Sequence, residues 1–170
     1  MPQKTKKLPK APSCLHCSEP AKRVTGRVIY PNSPDYHDLI FYSCDPCGAY
    51  VGTHKVSTKP LGRPGNEETR NARKHLHKIL DPIWKNAWQS PAYGRIDPSD
   101  REARLSITRS ARSRVYRFLA ECMGISREQC HTAMFDIEQC RFAWVICKGI
   151  SYKIVKDWHD ATKDDASLEK

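Results

Sequence analysis

Two cysteine pairs carry the clearest chemistry in the sequence: Cys14-Leu15-His16-Cys17 and Cys44-Asp45-Pro46-Cys47, with 26 residues between them. Each pair brackets two residues, the spacing at which a tight turn aims two thiolates at one ion. Two such turns facing each other supply the four ligands of a tetrahedral zinc. Four thiolates leave no open coordination position, so the pattern predicts a structural ion and not a catalytic one. A redox disulfide is the competing chemistry. It calls for one pair beside a βαβ pattern, and neither feature is present. His16 lies inside the first pair and reads as an outer neighbour of the ion or an exposed side chain.

A second set of chemically able residues follows the second pair. His54, Asn66 or Asn71, and His75 or His77 occur in the order seen in HNH nucleases. There one histidine is a general base and another binds a catalytic metal. This yields an alternative reading as a metal-dependent nuclease with His54, His75 and His77 as catalytic candidates. The plainer reading packs these histidines against the zinc module or turns them toward phosphate.

Basic residues form the third set. Lys55, Lys59 and Arg63 lie in the segment after the second pair, and Arg101, Arg104, Arg109, Arg112, Arg114 and Arg117 crowd one later stretch. Guanidinium groups pair bidentately with phosphate and a tyrosine can stack on a base. Helical spacing puts Arg109, Arg112 and Tyr116 opposite an apolar stripe, so Lys55, Lys59, Arg63, Arg109, Arg112 and Tyr116 are the nucleic-acid-binding candidates. A solvated helix face is the competing account of the arginines. Residues 118–134 also resemble a helix-turn-helix, which would expose Arg127, Glu128 and His131 as readers. Cys122, Cys130, Cys140 and Cys147 have helical spacings and read as buried thiols acting as small hydrophobes, not as a second metal site. Trp84, Trp88, Trp144 and Phe118 read as core.

These groups must be held by particular elements. Residues 21–29 and 39–43 carry the β-branched and aromatic residues of strands, and residues 49–51 suit a third. Gly48 stands where the second turn needs positive φ. Residues 54–65 read as a loop. Asn66 is placed to cap a helix whose first turn holds Glu67 and Glu68, with Ala72, Leu76, Ile79 and Leu80 as its apolar stripe. Pro82 is expected to interrupt it and open a second short helix through Trp88. A long helix is predicted over residues 100–123, with Ile107, Ala111, Val115, Phe118 and Cys122 on its inner face and Gly124 just past its end. Ser126 with Gln129 and Asp136 with Gln139 predict two more capped helices.

Composition bounds the rest. The chain has 170 residues with 29 Lys and Arg against 19 Asp and Glu, a net charge of +10 that favours polyanions. No run approaches the ~18 apolar residues of a membrane span, and the polar, lysine-rich start has no signal-peptide pattern. Eight cysteines without an export signal point to a reducing cytoplasm and metal binding over disulfides. The expected organisation is a disordered basic tail over 1–12, a zinc-binding module over 13–65, a helical region over 66–155 and a flexible tail over 156–170.

Residues 44–62 (CDPCGAYVGTHKVSTKPLG), 73–85 (RKHLHKILDPIWK), YRFLAECMGI and CHTAMFDIEQC together resemble the phage and prophage zinc-finger-containing protein family of unknown function. The resemblance runs from Cys14 to about Cys147. It implies that Cys14, Cys17, Cys44 and Cys47 are the zinc positions and that His54, His77, Asp81 and His131 match recurring positions of no established role. It also implies a phage-type protein acting in the cytoplasm of a bacterial host. The reading is therefore an α+β chain: an N-terminal four-cysteine zinc ribbon or treble clef with short antiparallel strands, then a helical region of three to five helices. The expected cofactor is zinc and the expected partner is nucleic acid, DNA or RNA. The alternatives are the HNH-like nuclease and an interaction protein that targets a host protein, either a nucleic-acid enzyme or a defence factor.

Overall fold

A computed structural model describes residues 10–168, with side chains through residue 162. The tail expected over 1–12 falls mostly outside the described residues. The chain divides into two compact units, Met1–Asn71 and Ala72–Lys170.

The first unit is built on a three-stranded antiparallel sheet in the order β1 (Lys22–Thr25), β2 (Ile40–Ser43), β3 (Tyr50–Gly52). Lys22 pairs with Ser43 and Thr25 with Ile40, while Phe41 pairs with Gly52 and Ser43 with Tyr50. The strand expected over 21–29 is shorter than its β-branched residues suggest, because the chain turns into a single helical turn, α1 (Gly26–Ile29). Gly26 permits that turn: a Cβ there would lie 1.7 Å from the Tyr36 carbonyl oxygen. An aromatic cluster closes this end of the sheet. Tyr30 packs on Tyr36, Phe41 and Tyr50, the Tyr30 and Tyr50 hydroxyls are 2.7 Å apart, and the Arg70 guanidinium lies 3.8 Å above the Tyr50 ring. Besides Phe41, the buried apolar residues of this unit fall in two small clusters: Cys14, Cys44 and Ala49, and Ala21, Tyr42 and Val51. So small a core leaves the cross-link at the cysteines as a main source of order.

Helix α2 (Glu67–Lys85) starts in the first unit, with the Asn66 side chain accepting the Thr69 backbone N–H as a cap. It runs through Pro82 without interruption, which corrects the expected break. Proline removes one helical hydrogen bond and crowds the carbonyl four residues back. Against that cost, Leu76 and Leu80 are fully buried and Asp81 bonds to both Lys85 and His77 one turn away on either side. Past the proline, Ile83 and Trp84 are partly buried against the same core, and the Asp81–Lys85 pair spans it.

In the second unit α3 (Arg101–Met123) ends on Gly124 in the left-handed conformation, as predicted, and Asp100, expected as the first helical residue, is its cap. Its buried face runs through Ala111, Val115, Tyr116, Leu119 and Ala120. The expected stripe carried Cys122 and left Tyr116 outside. The structure buries Tyr116 and exposes Cys122 because the contact face follows the 3.6-residue period from Val115 to Leu119. Helix α4 (Ile137–Cys147) begins with the Asp136–Gln139 capping box and buries Cys140, Ala143 and Cys147. Helix α5 (Tyr152–Leu168) occupies the segment expected to be a flexible tail from 156. Tyr152, Val155 and His159 recur at helical spacing and are buried, which the acidic, polar composition of the segment hides. Tyr152 and Val155, with Leu76, Leu80 and Phe135, belong to one continuous core.

The helix-turn-helix over 118–134 is absent. Ser126 and Gln129 do exchange capping bonds, but the chain only turns there and then makes a short 3-10 helix, Thr132–Met134. Trp144 is 38% exposed and is not a core residue. No helix among the described residues is long and apolar enough to cross a membrane.

Candidate metal centre

The two cysteine turns meet at one end of the sheet. Cys14 precedes β1 and Cys44 follows β2, so the β1–β2 pairing brings residues 30 apart in sequence into one cluster. Each turn is closed by the same backbone bond: the Cys14 N–H to the Glu19 carbonyl at 2.9 Å and the Cys44 N–H to the Ala49 carbonyl at 2.8 Å. The residue after each second cysteine has positive φ, 62° at Ser18 and 64° at Gly48. That requirement explains the glycine in the second turn.

The Sγ atoms of Cys14 and Cys47, of Cys17 and Cys44, and of Cys44 and Cys47 are each 3.3 Å apart, and those of Cys17 and Cys47 are 3.8 Å apart. All four lie within 4.8 Å of one another. Zinc–thiolate bonds of about 2.3 Å in a tetrahedron put sulfurs roughly 3.8 Å apart, so the set fits a four-thiolate ion. Cys14, Cys17, Cys44 and Cys47 would hold the zinc, and the ion would cross-link the sheet ends.

The thiols are unequal before metal binds. Burial pushes Cys14 up, but the His16 and Cys17 backbone N–H groups outweigh it and bring the thiol down to about 7. Burial, with bonds from Cys17 and Cys47, pushes Cys44 well up. A cation in the set reverses that penalty, since it stabilises every thiolate at once.

The surroundings reach beyond the ligands. The His16 Nε2 accepts the Asn66 backbone N–H at 3.1 Å, so the first turn holds the start of α2. Arg63 donates from Nε to the Ser13 carbonyl at 3.3 Å and from Nη2 to the Cys14 carbonyl at 3.1 Å. Its guanidinium braces the first cysteine turn, a role that its charge alone does not signal. Nothing in the spacing signals either bond, because both connect residues about 50 apart in sequence.

The remaining candidates are dispersed. Within each unit, among the described residues, the four cysteines are the one grouping of three or more Cys, His, Asp or Glu ligand atoms. His54 is exposed in the turn after β3. Asn66 is occupied as the α2 cap. His75 is exposed on α2, and His77 Nδ1 lies 3.1 Å from Asp81 Oδ1. No nuclease-like set of ligands gathers within either unit. Lys55, Lys59, Arg109 and Arg112 are exposed. Tyr116 is 2% exposed with its hydroxyl 3.1 Å from that of Thr132, so it cannot stack on a base. Cys130, Cys140 and Cys147 are buried, and burial pushes them to about 11, 11 and 12, as for inert core thiols.

A family model, DUF3268, described as a zinc-finger-containing domain, matches residues 10–96. That is half of the chain, and the chain belongs to this family. No curated protein and no solved structure matches it.

Proposed function

We propose that this member of the zinc-finger-containing family binds nucleic acid, with the zinc as a structural clamp and basic side chains as the contacts. One observation carries the reading. Arg101, Arg104, Arg109, Arg112 and Arg117 of α3 form no ion pair with any carboxylate among the described residues, although acidic residues pair elsewhere with lysine, histidine and Arg141; Arg114 is instead occupied by the Tyr93 and Tyr152 hydroxyls. Unpaired cations held along one helix suit a polyanion. Two of them are pre-set by aromatic rings: Arg104 lies 5.5 Å above Trp88 and Arg112 lies 5.5 Å above Trp84. A guanidinium stacked in this way keeps its N–H edge free for phosphate oxygens and loses little freedom on binding.

Phosphate contact releases counterions, so affinity for a labelled duplex or single strand should fall steeply with salt. Replacing Arg109 and Arg112 by alanine should reduce the slope of log K against log salt by about 2 on duplex DNA. An affinity that stays flat from low to high salt overturns the reading. The proposed setting, on the resemblance to phage proteins, is the cytoplasm of a bacterial host.

A second reading, as a protein that docks on a host nucleic-acid enzyme or defence factor, is favoured by α4. Phe142 and Val145 are 50% and 64% exposed one turn apart on its outer face. A single host protein recovered after nuclease treatment, and lost with Phe142→Ser, would support it.

A further inference from the structure

The turn after β3 has the backbone of a zinc knuckle without the ligands. The His54 N–H bonds to the Lys59 carbonyl at 2.9 Å and the Thr58 N–H to the His54 carbonyl at 3.1 Å. In the second cysteine turn the Cys44 N–H bonds to Ala49 and the Gly48 N–H to the Cys44 carbonyl, both at 2.8 Å. The fifth residue of all three turns has positive φ: 62° at Ser18, 64° at Gly48 and 51° at Thr58. The flanking residues pair alike, Ser13 with Pro20, Ser43 with Tyr50 and Thr53 with Pro60. His54 and Ser57 therefore stand where Cys14 with Cys17 and Cys44 with Cys47 stand. One imidazole and one hydroxyl fall short of a closed four-ligand zinc site.

The turn nevertheless keeps a costly shape. Thr58 is β-branched and left-handed, a conformation such residues rarely adopt. Its tip is apolar and bare, with Val56 99% exposed. Lys55 and Lys59 flank that tip, both exposed and without an ion-pair partner. Residues 46–66 contain no acidic side chain. A strained turn that displays an unburied valine between two unpaired cations gains no apolar burial at its tip. Its features match a contact in which an apolar side chain meets a base or sugar while cations hold the flanking phosphates.

We infer that residues 54–59 form a third knuckle that has exchanged metal binding for nucleic-acid contact, with Val56 against a base or sugar and Lys55 and Lys59 on phosphates. The inference rests on the nucleic-acid reading above and names the contact made by the zinc module. Lys59 and Lys55 should each carry a salt-dependent share, and Val56 a salt-independent one.

The test uses the full zinc-loaded chain and a labelled duplex with its separated single strand. Lys55→Ala combined with Lys59→Ala should lower the salt slope by about 2 on the duplex and by somewhat less on the single strand. Val56→Ser should weaken binding several-fold and leave the slope unchanged. Cobalt substituted for zinc should keep its four-thiolate absorption in every variant, since none touches the cysteines. If the turn variants bind like the parent while Arg109→Ala with Arg112→Ala weakens binding, the inference falls and the nucleic-acid reading stands. A chain that binds neither strand form overturns both.

Discussion

The His16 Nε2 accepts the backbone N–H of Asn66 at 3.1 Å. A side chain inside the first cysteine turn thereby fixes the residue that caps α2. The Asn66 N–H lies at the helix start, where no carbonyl of the helix can accept it. The imidazole must carry its proton on Nδ1 for Nε2 to accept. His16→Ala should cost about 1 kcal/mol, the net worth of one such bond at a partly exposed site. The His16 backbone N–H to Cys14 Sγ survives the substitution. Zinc stoichiometry should therefore be unchanged while chemical denaturation shifts to lower midpoint. A variant that loses zinc instead would show that His16 is a ligand.

Removing the ion should affect the two units differently. The first unit has only two small clusters of three buried apolar residues each, and two of those residues are ligands themselves. The second has a continuous core of fifteen. A strong chelator should abolish amide protection in β1, β2 and β3 while α3 and α4 stay protected, as read by hydrogen exchange. A thiol reagent should then modify Cys14, Cys17, Cys44 and Cys47 along with exposed Cys122. Cys130, Cys140 and Cys147 should react only when the second unit unfolds. Loss of protection in α3 on chelation alone would contradict this.

Gly26→Ala tests the turn that ends β1. The added Cβ would meet the Tyr36 carbonyl oxygen at 1.7 Å and the Phe41 ring at 3.2 Å. Carbonyl and strand cannot both move without breaking the Gly26 N–H bond to Leu39 and the aromatic cluster around Tyr30. Overpacking of this kind should cost about 3 kcal/mol. The zinc-loaded variant should show a lower first thermal transition, with the helical signal of the second unit retained.

Much of this was legible in the sequence where one local rule decides the outcome. Cys-x-x-Cys spacing marks the two turns, Asn66 and Asp100 mark helix starts, and Gly124 marks an end, because each depends on a few adjacent residues. The readings that changed depend on remote packing. Pro82 carries every local mark of a helix stop, yet burial on both sides carries α2 through it. Ser126 and Gln129 make their capping bonds without a helix following. Tyr116 moved from surface to core because a rotation of one residue position along α3 decides which face is buried. Arg63 reads as a basic loop residue by composition, and its bonds to the Ser13 and Cys14 carbonyls depend on residues about 50 positions away. The third knuckle was hidden because its signature is a backbone shape, and His-x-x-Ser shares no ligand chemistry with Cys-x-x-Cys.

Asp81 offers a pH-dependent test of α2 around its proline. Partial burial pushes its carboxyl up, but hydrogen bonds from Lys85 and His77 outweigh that and hold it below the ordinary carboxylate range. A carboxyl whose folded pKa is depressed adds stability above its unfolded pKa, near 3.9, and that stability fades as pH falls through the lower folded value. The Lys85 Nζ sits 2.8 Å from Oδ2 and the His77 Nδ1 sits 3.1 Å from Oδ1, so both carboxylate oxygens are engaged. Lys85 and His77 are about half exposed, which screens the pairs and keeps their worth near 0.5–1 kcal/mol in total. Asp81→Asn should therefore destabilise the chain by about that amount at neutral pH. The difference from the parent should shrink as pH falls from the unfolded carboxylate value through the lower folded one, below which the parent carboxyl is neutral as well. Raising salt at neutral pH should narrow the same gap. If the gap between Asp81→Asn and the parent stays constant from neutral to strongly acidic pH, the side chain acts by shape and not by charge.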